Sequence, residues 1–363
     1  MSARPDSRAA RAETAERLRR RKALEALSPL WATLALVLVY VVAIVFFINI
    51  CPLKTCRPPD LRAFFAEHNL CDFQGAWLED FSVERASLWP GRVLWIFISA
   101  TNVLASLVAV FVCLRLVVGS VGGTALERNR VGRFLRGRWL PLVPVGVLAV
   151  SLIPLWDREL ARRFLPQVYD ILNCAPIRDL PGAPLIGYMT IIVSILPLAC
   201  LVLASCVIVW PPPRRRQREQ ELALRMNSLN VLLYAGTAAL VTTVLRVSVT
   251  FRWGLSYLPS YVRPGESGAA VTKVLENFAT AFISTQAGSY TLFLAAVYIP
   301  AALILRGRAA ALAGKRLPMP QREEWLRSRG LSVSFSEYLP RVVAILGPFL
   351  AGPLGDLVGF LTK

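Results

Sequence analysis

The chain has 363 residues, is 55 % hydrophobic and carries a net charge of +18, with a mean hydropathy of +0.52. That apolar content excludes an ordinary soluble domain. The charge taken alone suggests nucleic acid, but its placement excludes that reading, because the basic residues gather beside alternate ends of apolar stretches.

Six stretches are long, apolar and nearly free of charge: 29–50, 93–118, 139–156, 185–210, 229–250 and 283–305. About 20 apolar residues in a helix cross the ~30 Å hydrocarbon core. Within that core a helix satisfies its own backbone, and few other structures do. The pattern predicts an all-α integral membrane protein with six transmembrane helices and a C-terminal hydrophobic segment that is either a seventh span or re-entrant. The membrane domain is read over 29–305.

Ahead of the first stretch, residues 1–28 carry Arg4, Arg8, Arg11, Arg17, Arg19, Arg20, Arg21 and Lys22. Their Ala, Arg, Glu and Leu content predicts a cytoplasmic helix lying on the lipid surface. The basic region and apolar core exceed those of a signal peptide, and no small-x-small cleavage site follows Ile50. The stretch is therefore expected to remain as the first span.

The loop 51–91 balances Lys54, Arg57, Arg62 and Arg85 against Asp60, Glu67, Asp72, Glu79, Asp80 and Glu84. It also holds Phe64, Phe65, Phe73, Trp77, Phe81 and Trp89. That density of aromatics predicts a small ordered cap on the outer face. Cys51, Cys56 and Cys71 fall in this loop and Cys174 in the next outer one, an even number on the oxidising side. They are candidate disulfides of open connectivity. Zinc ligation fits poorly, since His68 is the only histidine and the spacing matches no standard zinc pattern.

The remaining connections fix the orientation. Arg128, Arg130, Arg133, Arg136 and Arg138 follow the second stretch, and Arg214, Arg215, Arg216, Arg218 and Arg225 follow the fourth. Arg306, Arg308, Lys315, Arg316, Arg322, Arg327, Arg329 and Arg341 follow the sixth. The intervening connections are near neutral or acidic, so the positive-inside rule puts the N-terminus and the basic segment 306–341 in the cytoplasm.

Inside the stretches charge is rare. Arg115 and Arg246 lie near the ends of the second and fifth, where they are expected to snorkel to the interface. No Asp, Glu, Lys or His occupies a mid-span position, which weighs against a proton-coupled pump. Cys113, Cys200 and Cys206 behave there as small apolar residues. Pro141, Pro144 and Pro154 predict a kinked third span, and Pro211, Pro212 and Pro213 stop the fourth helix abruptly. Asn49, Thr101, Asn102, Thr242 and Thr243 are polar groups suited to bonding between helices. The sixth stretch is polar in its outer half, and Ser284, Thr285, Gln286, Ser289 and Tyr290 are candidate lining residues of an aqueous path.

The segment 342–363 is apolar but interrupted by Gly347-Pro348, Gly352-Pro353, Gly355 and Asp356. It is long enough to span, yet the two Gly-Pro pairs favour a re-entrant or docking element with both termini cytoplasmic. Gly355 and Gly359 form one GxxxG, a weak helix-contact signal.

No phosphate loop, dinucleotide fingerprint, HExxH or GxSxG is present, and no catalytic, cofactor-binding or metal-ligating set emerges. Three classes remain. The leading reading is a non-enzymatic protein that forms or gates a pathway across a membrane. The first alternative is a scaffold or signalling component that binds other membrane proteins or its own copies. The second is a membrane-embedded transferase using Asp157, Glu159, Arg162 and Arg163, although Glu159 and Arg163 also suit a plain helix-surface pair. The Arg- and Ala-rich composition suggests a bacterial inner membrane, with the lipid bilayer as the first partner.

Overall fold

A computed structural model describes residues 83–121, 183–210, 218–256, 266–314, 318–327 and 335–360, together with Ala32 and Ala35. The elements there are all helical: α1 Val83–Val121, α2 Ala183–Val209, α3 Arg218–Ser256, α4 Glu266–Ala313, α5 Met319–Arg327 and α6 Phe335–Phe360. Three of them are long and apolar enough to cross a membrane, over Val93–Val117, Gln220–Arg252 and Ala279–Ala313. The stretch 139–156, most of 29–50, the four candidate disulfide cysteines, and Asp157 and Glu159 lie outside the described residues.

Each helix follows from its composition. α1 begins at Val83, inside the segment read as outer cap, so the helix is longer than the apolar run at its centre. α4 is 48 residues long, or about 72 Å at 1.5 Å per residue. It continues past the basic Arg306 and Arg308 before ending at Gly314, whose N–H bonds the Ala310 carbonyl at 2.8 Å. α2 ends at Val209, directly before Trp210 and the Pro211–Pro213 run, as the sequence predicts.

α3 sits at the centre of the bundle, packed against α1, α2, α4 and α6. Its contacts give the directions of its neighbours. Trp95 and Asn102 of α1 meet Thr250 and Thr243 of α3, so these two helices are antiparallel. Asn230 and Gly236 of α3 meet Tyr298 and Leu294 of α4, again antiparallel. Ala344 and Ala351 of α6 pack beside Thr237 and Val244, so α6 runs parallel to α3.

The core lies where α2, α3 and α4 converge, around Leu201, Leu222, Leu229, Leu232, Leu240, Leu294 and Leu305, all fully buried. Gly236 lets these helices approach, since a Cβ there would stand 3.0 Å from both Leu201 methyls and 3.3 Å from a Leu294 methyl. The outside is apolar as well. α1 turns Phe97, Leu104, Leu107, Val108, Phe111 and Leu114 outward, with Phe97 67 % exposed. A soluble protein rarely presents so large an apolar face.

α6 departs from what its Gly-Pro pairs led us to expect. It is one helix through Pro340, Pro348 and Pro353, not a broken backbone. Proline at 348 removes the N–H that would bond the Ala344 carbonyl. Thr237 Oγ1 of α3 stands 2.9 Å from that carbonyl, and the Phe349 N–H donates to Thr291 Oγ1 of α4 at 3.2 Å. The Thr237 hydroxyl, which also lies 2.9 Å from the Leu233 carbonyl of its own helix, thus stands at the one carbonyl that Pro348 leaves bare, which is how apolar surroundings tolerate proline in a helix.

Candidate functional site

α3 carries the polar residues that tie the bundle together. Tyr298 donates its hydroxyl proton to Asn230 Oδ1 at 2.9 Å. The Trp95 indole N–H donates to Thr250 Oγ1 at 3.0 Å. At the α1–α3 contact, Thr243 and Thr242 reach the carboxamide of Asn102 at 3.0 and 3.3 Å. Asn102 is completely buried, with buried Ser99 and Ser106 one turn to either side.

The protons at this contact can be assigned. Thr243 Oγ1 also lies 2.8 Å from the Ala239 carbonyl, and Thr242 Oγ1 lies 2.9 Å from that of Ala238. Each hydroxyl has one proton, and a helix carbonyl is the better acceptor position for it. The hydroxyl oxygens are then free to accept, so the end of the Asn102 carboxamide facing them is best assigned as the amide NH2. Sequence reasoning grouped Asn102, Thr242 and Thr243, and the structure joins them. Thr101 instead bonds its own helix, at the Phe97 carbonyl.

A second polar cluster lies between α3 and α4. Gln286 Nε2 donates to the Tyr290 hydroxyl at 2.9 Å, one turn along α4. Arg246 of α3 is within electrostatic reach of Tyr290. The side chain of Arg246 is half-buried and its Nε is sealed from solvent with no partner among the described residues. Gln286 Oε1 is sealed in the same way. Arg115 stands exposed on α1.

The five candidate lining residues of α4 divide between two faces. Gln286 and Tyr290 turn toward α3 and α6, where Tyr290 packs on the cluster of Val244, Ile283, Ala287 and Ala351. Ser284 and Thr285 are exposed, and Ser289 lies beside Thr285. The Thr285 and Ser289 hydroxyls bond the Ala281 and Thr285 carbonyls of their own helix, each at 2.8 Å. The structure thus brings Gln286 and Tyr290 together and leaves Ser284 and Thr285 exposed.

No protein family, curated protein or solved structure matches this chain. The chemistry has to be read from the residues themselves. Among the described residues no group of three or more His, Cys, Asp or Glu is placed to hold a metal. Cys113, Cys200 and Cys206 are free thiols, two of them buried.

Most of the sealed polar atoms fall at one level, Arg252 Nε lying further along α3. Ser99 Oγ, one Asn102 carboxamide atom, Arg246 Nε, Ser248 Oγ and Gln286 Oε1 all lack a partner among the described residues. On α3 this level runs from Thr243, bonded to Asn102, to Ser248, a layer about 8 Å thick by helical rise. Sequence reasoning singled out Asn102, Thr243, Arg246 and Gln286 separately but missed their common level, which exists only once three helices align. It also missed the α3–α6 contact, for which the missing N–H of Pro348 was the available signal.

At the opposite end of the bundle, arginines close helix termini. Arg308 donates to the Val209 carbonyl, which the prolines following α2 leave without a helical donor. Arg322 of α5 donates to the Gly314 carbonyl at 3.1 Å. Cations at C-terminal carbonyls also complement the helix dipole. Part of the basic excess is therefore used locally as helix caps.

Proposed function

We propose that this chain is a multi-pass membrane protein whose bundle forms or gates a pathway across the membrane, with a hydrated polar layer in its outer half. The observation that carries this reading is the level of buried polar atoms without partners among the described residues, on helices composed for hydrocarbon. A buried polar atom left unbonded costs about 1–3 kcal/mol. A scaffold has no use for several at one depth. Water or a polar permeant, admitted as the helices part, supplies the missing partners.

The directions of the helices support a multi-span layout. α1 and α2 both run opposite to α3, which agrees with a crossing between them of the kind the sequence offers at 139–156. α6 lies along the middle of α3 and α4 and turns Leu339, Val342, Val343, Leu346, Phe349, Leu350 and Leu354 outward. A 26-residue helix is about 39 Å long. Its placement along α3 supports a seventh crossing, with the N-terminus cytoplasmic and Lys363 outside, over a re-entrant segment.

The test is the membrane potential of cells after tightly controlled induction, with a Gln286→Leu variant at equal membrane expression. The proposal predicts that the wild-type chain dissipates the potential and the variant preserves it. Preservation by both contradicts the pathway and favours the scaffold.

A further inference from the structure

We propose that Arg246, Gln286 and Tyr290 form a binding site for a singly charged oxyanion, so that the polar layer admits anions in preference to cations. The preference for anions rests on the pathway reading; the binding does not.

Arg246 presents five donors and no acceptor, and its charge cannot be removed by deprotonation in a protein. Half-buried in a helix that is apolar enough to cross a membrane, it has no hydrogen bond or ion pair to another described residue through its side chain. Of the apolar stretches, 139–156 and 29–50 are free of Asp and Glu, whereas the outer connections 51–82 and 157–182 carry acids that lie outside the described residues. Glu276 of α4 lies within electrostatic reach of Arg252, not of Arg246. Among the described residues this half-buried charge has no counter-ion; a charge withdrawn from water without one is destabilising, and a mobile anion removes that penalty.

The neighbouring groups suit an anion. Gln286 and Tyr290 share one hydrogen bond at 2.9 Å, leaving one end of the carboxamide without a partner. Turned by half a rotation, the carboxamide accepts the Tyr290 proton and offers its NH2 to the site, with the same heavy-atom geometry. The guanidinium fork then binds two oxygens of one group, as it does with carboxylate and phosphate. The charge of one arginine matches one negative charge. A dissolved oxyanion and the phosphodiester of a lipid headgroup share this chemistry.

Asp356 is the acid to control for. Ala351 packs in one cluster with Val244, so the α6 backbone at Asp356 falls at the level of the α3 residues after Arg246.

The experiment follows the Tm of the full chain in uncharged detergent as sodium nitrate is added, and separately as phosphatidylglycerol is added. Wild type is compared with Arg246→Gln, Gln286→Leu and Asp356→Asn. The proposal predicts a saturable rise of a few degrees in wild type, reduced in Gln286→Leu and lost in Arg246→Gln. A rise with nitrate identifies a dissolved anion as occupant, and a rise with phosphatidylglycerol alone identifies the headgroup. Equal responses of wild type and Arg246→Gln overturn the site. So does a nitrate response seen only in Asp356→Asn, because the aspartate is then the counter-ion. Should Arg246→Gln not fold, an unchanged response in Gln286→Leu overturns it equally.

Flux separates the two layers of the claim. In phosphatidylcholine vesicles holding the purified chain, nitrate should cross faster than potassium, and Arg246→Gln should abolish the difference. Binding without flux of any ion removes the pathway and keeps the site. Flux that favours potassium removes the anion preference.

Discussion

At the residue scale, the bundle depends on short polar side chains that each serve two helices. Asn102 shows how. Its carboxamide bridges α1 to Thr242 and Thr243 of α3, while those hydroxyls remain bonded to their own helix. Removing Asn102 therefore strands no threonine proton, and the loss stays modest. Interhelical hydrogen bonds between membrane helices average about 0.6 kcal/mol. A double-mutant cycle of Asn102→Ala and Thr243→Val should give a coupling energy of about 0.5–1.5 kcal/mol in detergent unfolding. Strict additivity of the two changes contradicts the contact. These residues were legible in the sequence as interhelical candidates. Their shared depth with Arg246 and Gln286 was not, because depth depends on how three helices are offset along their axes.

The element that best shows how far sequence reaches is α6. Its prolines and glycines read as breaks when the segment is taken alone. They become tolerable only because Thr237 and Thr291 stand where the ladder fails. Gly347 belongs to the same device, since a Cβ there would lie 2.7 Å from Thr237 Cγ2. Turning Thr237 aside to make room also pulls its hydroxyl from the Ala344 carbonyl. Gly347→Ala should then destabilise the protein by about 1–3 kcal/mol, as overpacking does. Gly307 of α4 has open space where its Cβ would stand, and Gly307→Ala should stabilise by about 0.5–1 kcal/mol through helix propensity alone. The pair, measured in one thermal unfolding series, checks the packing; equal effects contradict it. The sequence's own contact signal, Gly355 and Gly359, lies further along the helix than this close approach.

For the molecule as a whole, hydropathy located three of the six predicted spans among the described helices. The runs at 93–118, 229–250 and 283–305 each fall within one of the three helices of membrane-crossing length. The helices themselves run longer than the runs, since α1, α3 and α4 continue into polar sequence at one or both ends. Helix propensity and neighbouring contacts carry them past the point where hydropathy falls. Which faces meet is harder to read. α1, α3 and α4 are apolar on both their inner and outer sides, so periodicity gives little indication of which side faces a partner. Small and polar residues make that choice: Gly236, Thr237, Thr243, Ala287, Ala344, Gly347 and Ala351 mark the inner faces.

The central claim is that the polar layer in the outer half holds water. Its most direct measure is the reaction of a cysteine placed in the layer with a membrane-impermeant thiol reagent applied to intact cells. Reactivity is scored above that of the parent chain. Gln286→Cys, facing the layer, is compared with Leu292→Cys, whose parent side chain is 56 % exposed on the outer face of the same helix. We predict rapid labelling at 286 and none at 292, where hydrocarbon excludes the reagent. A cysteine at 286 as inert as the one at 292 contradicts a hydrated layer and, with it, the pathway.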